Sequence, residues 1–490
     1  MTDQIYSIVN CLLFIAILFL FIFVNHGYIN NDGILYLSDA FVYQKDIGLT
    51  QYQWNFYSYL IANVSKIFNC NLYISAKIIV FFSYLFTFFT LVGILNLKKK
   101  SMVESFGISI SGLLLFYSFL YTYSQYILRD HLFWTCNFIF YYLLIYMYLN
   151  NKFYEYKLHL LIILTITFGS FFRVEMLLFL IYPLVILFNN HKISIKNYTK
   201  FNIFKFLFIL LSFISLLILC LTYYPESKIA VSFSELINKD NKYFIVIPQN
   251  NNLEHLIESS SHLEITIFID LFKKLLKILF LPTVLLFVFY IISRSDLCES
   301  FKKNSYILLL IIPFSLVYYF LVYFYASNTY ITSSRYLITV AIPLFIIILF
   351  LMSDVLTGKY FDFKKHLLVS LVFLLVISFV YKFFIYKVKE NELISYLKEN
   401  FPDIEIISND PRLEFYAGKK YLLNRPHDVS LRHDQSYLIN TNKDKFYDIN
   451  NLEFIKNELF FYQLPSGFDK YKLYLNLKHY DQANKPDYSD

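Results

Sequence analysis

Long apolar runs recur along most of the chain, and they limit what it can fold into. A bilayer core about 30 Å thick takes roughly 20 apolar residues as an α-helix, and about eleven windows approach that length. These windows are residues 5–24, 72–96, 106–127, 131–149, 158–172, 174–188, 206–224, 276–293, 305–325, 336–353 and 367–385. Only 16% of the residues are charged, whereas a soluble domain has roughly 25%. The sequence therefore excludes a water-soluble enzyme and predicts an all-α polytopic membrane bundle.

Basic residues in the short connections predict how this bundle is oriented. Connections on one side carry several lysines each, whereas those on the other side carry only Arg129, Arg173 and Arg335. Short cytoplasmic loops are enriched in lysine and arginine. We therefore expect a cytoplasmic N-terminus, with the three arginines on the extracytoplasmic side.

Three longer polar segments fall on that same outer side: residues 25–71, residues 225–275 and the tail 386–490. In the first of them, residues 54–68 place apolar and polar side chains on opposite helical faces, which predicts a helix along the membrane interface. The tail has a helical stretch near 390–400 and strand-like runs that begin at 405, 420, 436 and 472. We predict a transmembrane domain over 1–385 and a small extracytoplasmic α/β domain over 386–490.

An acidic residue soon after the first apolar run is the candidate catalytic group. Asp32 lies in the stretch from Asn30 to Ala40. A carboxylate at the mouth of a helix bundle can act as a general base toward a hydroxyl while the bundle excludes water. Asn-Asp-Gly is also a turn sequence that needs no further function. The residues alone leave both interpretations open.

Ionisable side chains also mark the outer ends of three predicted spans. They are Arg129 with Asp130 and His131, Arg173 with Glu175, and Arg335. Charged groups at membrane depth are costly and indicate functional sites, and arginine binds phosphate bidentately. If the bundle gathers these side chains, they form a site for the phosphate of a membrane lipid. The alternative is that each one extends to the interface without a further role.

Several classes of site are not indicated. The five cysteines have no metal-ligand spacing, and there is no Walker A or GxGxxG motif. The run Lys98 to Lys100 is a topological anchor and not a nucleic-acid patch. Lys77, near the start of the second apolar run, is expected to extend toward the membrane interface.

This layout resembles the GT-C glycosyltransferases, in particular the bacterial aminoarabinose transferase and protein O-mannosyltransferase branch. Asp32, Tyr36, Ala40 and Gly48 are similar to the family's first-loop pattern, and residues 172–175 are similar to its Phe-Arg-x-Glu. Gly33 stands where these enzymes usually have a second acidic residue. Whether a divalent ion, Mg or Mn, takes part is therefore left open.

The resemblance implies an inverting transferase in the plasma (inner) membrane. It would move a sugar from a polyprenyl-phosphate donor to an extracytoplasmic glycan, lipid or protein acceptor. Asp32 would be the base, and Arg129, Arg173 and Arg335 would hold the donor phosphate in one outward cavity. The supporting or metal-binding candidates are Tyr36, Asp39, Asp130, His131 and Glu175.

Two alternatives stay open at this point. A surface-polysaccharide polymerase or ligase also has many spans and outward arginines, but its main polar loop usually lies in mid-chain. A transporter or lipid flippase would use Lys77, Arg173 and Glu175 to line a path, because intramembrane charges also mark transport routes.

Overall fold

A computed structural model of the chain describes part of its 490 residues and divides the chain into two compact units. The first unit is residues 1–23, 51–57 and 77–379, and the second is residues 24–50, 58–76 and 380–490. The described residues are 2–23, 30–45, 56–98, 102–116, 119, 123–153, 155–189, 253–292, 294–329, 333–356, 389–401, 406–408, 436–440, 459–465, 468 and 471–476.

The described chain is mostly helical. In chain order its helices are α1 (Thr2–Phe23), α2 (Asn31–Lys45), α3 (Phe56–Phe68), α4 (Leu72–Asn96), α5 (Met102–Leu115), α6 (Asp130–Leu149), α7 (Tyr156–Ser170), a 3-10 helix (Val174–Ile181), α8 (Tyr182–Asn189), α9 (Leu253–Ile292), α10 (Arg294–Thr329), α11 (Ser334–Val355) and α12 (Lys389–Asn400).

Five helices within the described residues are long and apolar enough to cross a membrane. They are Leu72–Asn96, Asp130–Leu149, Thr266–Ile291, Leu297–Ser327 and Ser334–Val355. Shorter apolar helices lie at Ile8–Phe23, Glu104–Leu115 and Tyr156–Ser170. These helices confirm the prediction of a mainly helical membrane protein. The windows 206–224 and 367–385 lie outside the described residues, so the total of about eleven spans stays a prediction.

Helix α11 lies at the centre of the first unit. Of its most apolar window, 89% is buried, against 33% for that of α9. It packs against α9 and α10 and also contacts α5 and α6. Gly112 on α5 permits a close approach, because a Cβ atom there would stand 2.3 Å from Leu349 Cδ2. One turn later Phe116 stacks on Phe345 with ring centroids 4.6 Å apart.

Two predicted spans are not continuous α-helices. In the window 106–127, α5 ends at Leu115 and Phe116 is a bend; of the later described residues, 119, 123 and 124 are helical and 125–127 are not. The window 174–188 is a 3-10 helix to Ile181, after which α8 begins. Pro183 lies in the first turn of α8, where its missing N–H costs least, so the chain starts a new helix there. Hydropathy measures how apolar a stretch of sequence is, so it does not detect such breaks in a helix.

Two other helices extend into segments predicted to be loops. Helix α9 has 40 residues and begins at Leu253, so the later part of the predicted loop 225–275 is helical. Helix α10 has 36 residues and begins at Arg294, within a predicted basic connection. Glutamate, lysine and leucine are good helix formers. Charge therefore ends an apolar window without ending a helix.

Each of the three long helices α9, α10 and α11 has an internal proline: Pro282, Pro313 and Pro343. A proline removes a backbone donor and crowds the preceding turn. Beside Pro343, Ser315 Oγ donates to the carbonyl oxygen of Val340 at 2.8 Å. A side chain of α10 thus bonds to the backbone of α11 at the disturbed turn.

A polar junction lies at the C-terminal end of α11. The Oδ2 atom of Asp354 accepts bonds from Lys98 Nζ at 2.7 Å, Ser300 Oγ at 2.9 Å and Asn304 Nδ2 at 2.8 Å. The Lys98 ammonium also lies 4.7 Å from the centre of the Phe350 ring. We call Lys98, Ser300, Asn304 and Asp354 the Asp354 cluster. It joins the end of α4 to α10 and α11.

In the second unit, α2 and α3 are linked by side chains. Gln44 Nε2 donates to Ser65 Oγ at 3.3 Å, and the rings of Tyr43 and Tyr59 meet edge to face with centroids 5.8 Å apart. The helix predicted over 54–68 is observed from Phe56 to Phe68. Its last two residues are exposed, Ile67 by 75% and Phe68 by 59%, as apolar side chains in contact with lipid would be.

The second unit also contains α12 and a four-stranded sheet. The strands are β1 (Ile406–Ser408), β2 (Ser436–Asn440), β3 (Leu459–Tyr462) and β4 (Tyr471–Asn476), in the order β1-β2-β4-β3. The pair β1 and β2 is parallel, and the other two pairs are antiparallel. Leu393, Leu397 and Phe401, one turn apart on α12, share a small core with Tyr471 and Leu473. The strand-like run at 420 lies outside the described residues.

Candidate functional site

A buried ion pair joins the ends of two helical segments in the first unit. Asp130 is the first residue of α6, and Arg173 stands between α7 and the 3-10 helix. Arg173 Nε donates to Asp130 Oδ1 at 2.5 Å, and the two side chains are only 8% and 4% exposed. A carboxylate at a helix N-terminus also benefits from the helix dipole. Asp130 thus contacts Arg173, which lies 43 positions away in the sequence.

Arg173 has a second carboxylate beside it. Its Nη1 atom donates to Glu175 Oε1 at 3.4 Å, and Glu175 is 23% exposed. The backbone of Arg173 is extended, with φ −147°, which lets Glu175 lie beside the guanidinium. Two carboxylates therefore compensate the single charge of Arg173.

Tyr336 lies between two guanidinium groups. Its ring centre is 4.8 Å from Arg173 Cζ and 5.0 Å from Arg335 Cζ. Arg335 Nη2 also donates to the Tyr336 hydroxyl at 3.1 Å. An aromatic face attracts a cation, so this ring connects the start of α11 to the Arg173 ion pair. We call Arg129, Asp130, Arg173, Glu175, Arg335 and Tyr336 the arginine cluster.

Arg129 completes this cluster in a different way. The charges of Arg335 and Arg129, like that of Arg173, act on the Asp130 carboxylate. In the described part of the chain, however, Arg129 makes no ion pair, and its Nε atom is buried without a hydrogen-bond partner. Among the six residues of this cluster, three guanidinium groups stand beside two carboxylates. This composition suits an anion better than a cation.

Two further buried atoms near this cluster have no hydrogen-bond partner among the described residues. They are Asp130 Oδ2 and His131 Nδ1. The other ring nitrogen of His131 lies 3.0 Å from the Tyr126 carbonyl oxygen. A carbonyl only accepts hydrogen bonds, so that nitrogen carries the proton and Nδ1 is an acceptor. His131 also packs between the rings of Tyr84 and Trp134, both 5.3 Å away, which is the ordinary packing role for a histidine.

The donor set of the arginine cluster does not fit a divalent metal. Asp130 and Glu175 both accept bonds from Arg173, whose charge opposes a second cation at the same place. Over the described residues there is no group of three His, Cys, Asp or Glu side chains that could hold a metal ion. We therefore assign no chemical step here to a metal.

The remaining predicted site residues lie on α2 in the second unit. Asp32 is in its first turn and partly exposed, Tyr36 is 8% exposed, and Asp39 is 1% exposed. The structure brings Arg129, Arg173 and Arg335 together within the first unit. The cavity shared with Asp32 stays a prediction.

Sequence reasoning missed one residue near these groups and placed another wrongly. Tyr336 directly follows Arg335 but gave no signal, because one tyrosine among 45 is not distinctive. The expectation that Lys77 extends toward the interface is wrong. Lys77 is only 2% exposed, and its Nζ donates to the Gln125 carbonyl oxygen at 2.6 Å. A charge inside an apolar run indicates a function, and only the transport alternative used Lys77 in this way.

Comparison with known proteins gives no matching family model, no matching curated protein and no matching solved structure. The resemblance to GT-C glycosyltransferases therefore stays a prediction from short motifs and layout.

Proposed function

We propose that this protein is an integral-membrane glycosyltransferase that moves a sugar from a polyprenyl-phosphate donor to an extracytoplasmic acceptor. The observation that carries the proposal is the arginine cluster. It gathers three guanidinium groups at the ends of apolar helices, where the available anions include lipid phosphates. Positively charged groups aimed at a leaving phosphate stabilise the charge that develops on it.

In the proposed reaction, the acceptor hydroxyl attacks the anomeric carbon of the donor sugar. The new carbon–oxygen bond forms as the bond to the phosphate oxygen breaks, which inverts the anomeric centre. The Asp32 carboxylate takes the hydroxyl proton, and the polyprenyl phosphate leaves with the electron pair of the broken bond. This scheme uses only acid–base catalysis by Asp32 and electrostatic stabilisation of the leaving phosphate.

Arg129 and Arg173 take different parts in this scheme. Arg173 is occupied by Asp130 and Glu175, so it serves to hold Asp130 and the Tyr336 ring in place. Arg129 has no ion pair within the described residues, which makes it the better phosphate ligand. A guanidinium already paired with carboxylates must give up those bonds before it can bind an anion. This division revises the expectation that all three hold the phosphate equally.

The wider architecture belongs to the same proposal. With about eleven spans and a cytoplasmic N-terminus, the arginine cluster and the first polar loop would lie on the extracytoplasmic side of the membrane. The tail 386–490, with its helix and sheet, would be an extracytoplasmic α/β domain near the acceptor. A nucleotide sugar is confined to the cytoplasm, so an outward site needs a lipid-linked donor.

Replacement of Asp32 tests the proposed base. Asp32→Asn should lower sugar transfer by about 10² to 10⁴-fold, the usual range for a general base, with donor affinity retained. Transfer would be measured in liposomes with a panel of polyprenyl-phosphate sugars. Asp270→Asn is the matched control, because the Asp270 side chain is 43% exposed and pairs with Lys274 one turn away on the same helix. Full activity in a folded Asp32→Asn variant would reject the base.

Transport is the second candidate, because buried charges also line transport routes. The observation in its favour is the depth of Lys77, at 2% exposure. Flux of a labelled lipid across reconstituted vesicles, without a covalent product, would support transport. Transfer of the sugar to a new carrier would support the enzyme.

A further inference from the structure

Lys77 is a buried lysine in the second turn of α4, and the chemistry proposed above does not use it. Its side chain is 2% exposed, and its Nζ atom lies 2.6 Å from the carbonyl oxygen of Gln125. The short distance is typical of a charge-assisted hydrogen bond. A lysine kept at this depth is costly and indicates a function. The question is what the contact with Gln125 accomplishes.

Gln125 belongs to the segment between α5 and α6, whose last residues, 125–129, are not helical. Beyond Phe116 its described residues are 119 and 123–129. Non-helical backbone at membrane depth has carbonyl groups that need donors from elsewhere in the protein. Side chains of α4 and α6 hydrogen-bond three of these carbonyls. The contacts run from Tyr84 to Phe119, from Lys77 to Gln125 and from His131 to Tyr126.

Two of these contacts fall directly before the arginine cluster. Gln125 lies four residues before Arg129, and Tyr126 lies three residues before it. The contact from Tyr84 reaches Phe119, ten residues before Arg129. Lys77 and His131 therefore restrain the stretch that leads into Arg129, whereas Tyr84 restrains a more distant part. The Arg129 guanidinium has a buried Nε without a hydrogen-bond partner, so its direction depends on its backbone.

We propose that Lys77 is a positioning residue: by holding the Gln125 carbonyl it fixes the backbone before Arg129 and so aims the Arg129 guanidinium at the lipid phosphate. This inference rests on the proposed function. Lys77 acts through Arg129 and does not touch the donor. Its ammonium group is used as a strong hydrogen-bond donor on a long stem that reaches across from α4.

A double-mutant cycle separates this role from direct contact with the phosphate. The probe is a polyprenyl monophosphate in detergent micelles, with the free polyprenol of equal length as the uncharged control. Lys77→Met keeps the length and removes the donor, and it should weaken binding of the monophosphate about tenfold. In an Arg129→Met background the same change should add less than about twofold, because coupled residues are not additive. Polyprenol binding should stay constant throughout.

Two further variants serve as controls. Tyr84→Phe removes a donor to the same segment far from Arg129, and it should change monophosphate affinity by less than about threefold. Lys77→Arg keeps a cationic donor and should stay within about threefold of the natural protein. Lys77→Arg also keeps the test decisive if Lys77→Met does not fold, since its KM for the donor can be compared with its kcat. A lower kcat with unchanged KM would contradict positioning.

The outcomes separate the two proposals. Independent, additive losses in the Lys77 and Arg129 variants would show that Lys77 binds the phosphate itself and would overturn the positioning role alone. No change of affinity in a folded Lys77→Met variant would do the same. Failure of the natural protein to prefer the monophosphate over polyprenol would remove the proposed function, and this role with it.

Discussion

Two carboxylates at opposite ends of the same bundle, the half-buried Asp354 and the buried Asp130, have different hydrogen-bond partners. The Asp354 cluster stands at the end of α11, and there one carboxylate oxygen accepts bonds from Lys98, Ser300 and Asn304. The arginine cluster stands at the start of α11, and there Asp130 accepts a bond on Oδ1 while its buried Oδ2 has no partner among the described residues.

This difference separates a structural junction from a candidate site. Three donors on one oxygen compensate the burial of Asp354 and tie α4, α10 and α11 together. A buried polar atom that lacks a partner needs an explanation, such as a ligand or a reactive role. Among the described residues, the Asp354 cluster has one such atom, Asn304 Oδ1, whereas Arg129, Asp130 and His131, three consecutive residues, each have one. The arginine cluster is therefore the end of the bundle where we look for chemistry.

Arg173→Met should have the largest effect on stability. It leaves the buried Asp130 carboxylate without its hydrogen-bond partner, which should cost about 3–5 kcal/mol. Thermal unfolding in detergent would measure the loss. If the loss of stability is as small as that expected for an exposed ion pair, other groups stabilise Asp130. The contrast between Asp130 and Asp354 would then not hold.

Lys98→Met should cost less, about 1–3 kcal/mol, because Ser300 and Asn304 would still donate to Asp354. The same unfolding assay applies, with the natural protein as reference. A loss equal to that of Arg173→Met would show that the two carboxylates depend equally on their cations. Sugar transfer by the folded variant should be retained, since the Asp354 cluster lies at the opposite end of α11 from Arg335.

Ser315→Ala tests a neutral contact between the two clusters. It removes the donor to the Val340 carbonyl oxygen beside Pro343 and should cost about 1 kcal/mol. Ser315→Thr keeps the hydroxyl and is the matched control. If the alanine variant unfolds at the same temperature as the threonine variant, this bond does not stabilise the contact between α10 and α11.

The smallest effect should come from Lys152→Met. Lys152 and Glu155 form an ion pair at 3.1 Å, but their side chains are 40% and 38% exposed. Exposed pairs contribute little, because water screens them. We expect no detectable change in the unfolding temperature. A clearly lower unfolding temperature would mean that the burial of an ion pair does not predict how much it stabilises this protein.

The sequence predicted the arginines of the candidate site but not their contacts. Arg129, Arg173 and Arg335 stand out because each lies at the end of an apolar window, and the sequence alone shows this. Which carboxylate meets which guanidinium depends on helix packing. Asp130 bonds to Arg173, 43 positions away, and not to its neighbour Arg129. The spacing of residues in the sequence cannot predict such a long-range contact.

The fold was predictable where apolarity and helix length coincide. The windows at 72–96 and 131–149 match α4 and α6 closely. The segment after Leu115 was not predictable, because Tyr84, Lys77 and His131 supply its hydrogen bonds from other parts of the chain. Strand β3 was also missed, since its four residues, Leu-Phe-Phe-Tyr, show no alternation of apolar and polar positions.

The length of α9 has a mechanical consequence. At 1.5 Å per residue, its 40 residues extend about 60 Å, roughly twice the thickness of the hydrocarbon layer. The 13 residues from Leu253 to Ile265, about 20 Å of helix, lie before the apolar stretch Thr266–Ile291 and must stand in headgroups or water. A force on this part of α9 would act on Pro282, where a proline allows a helix to bend.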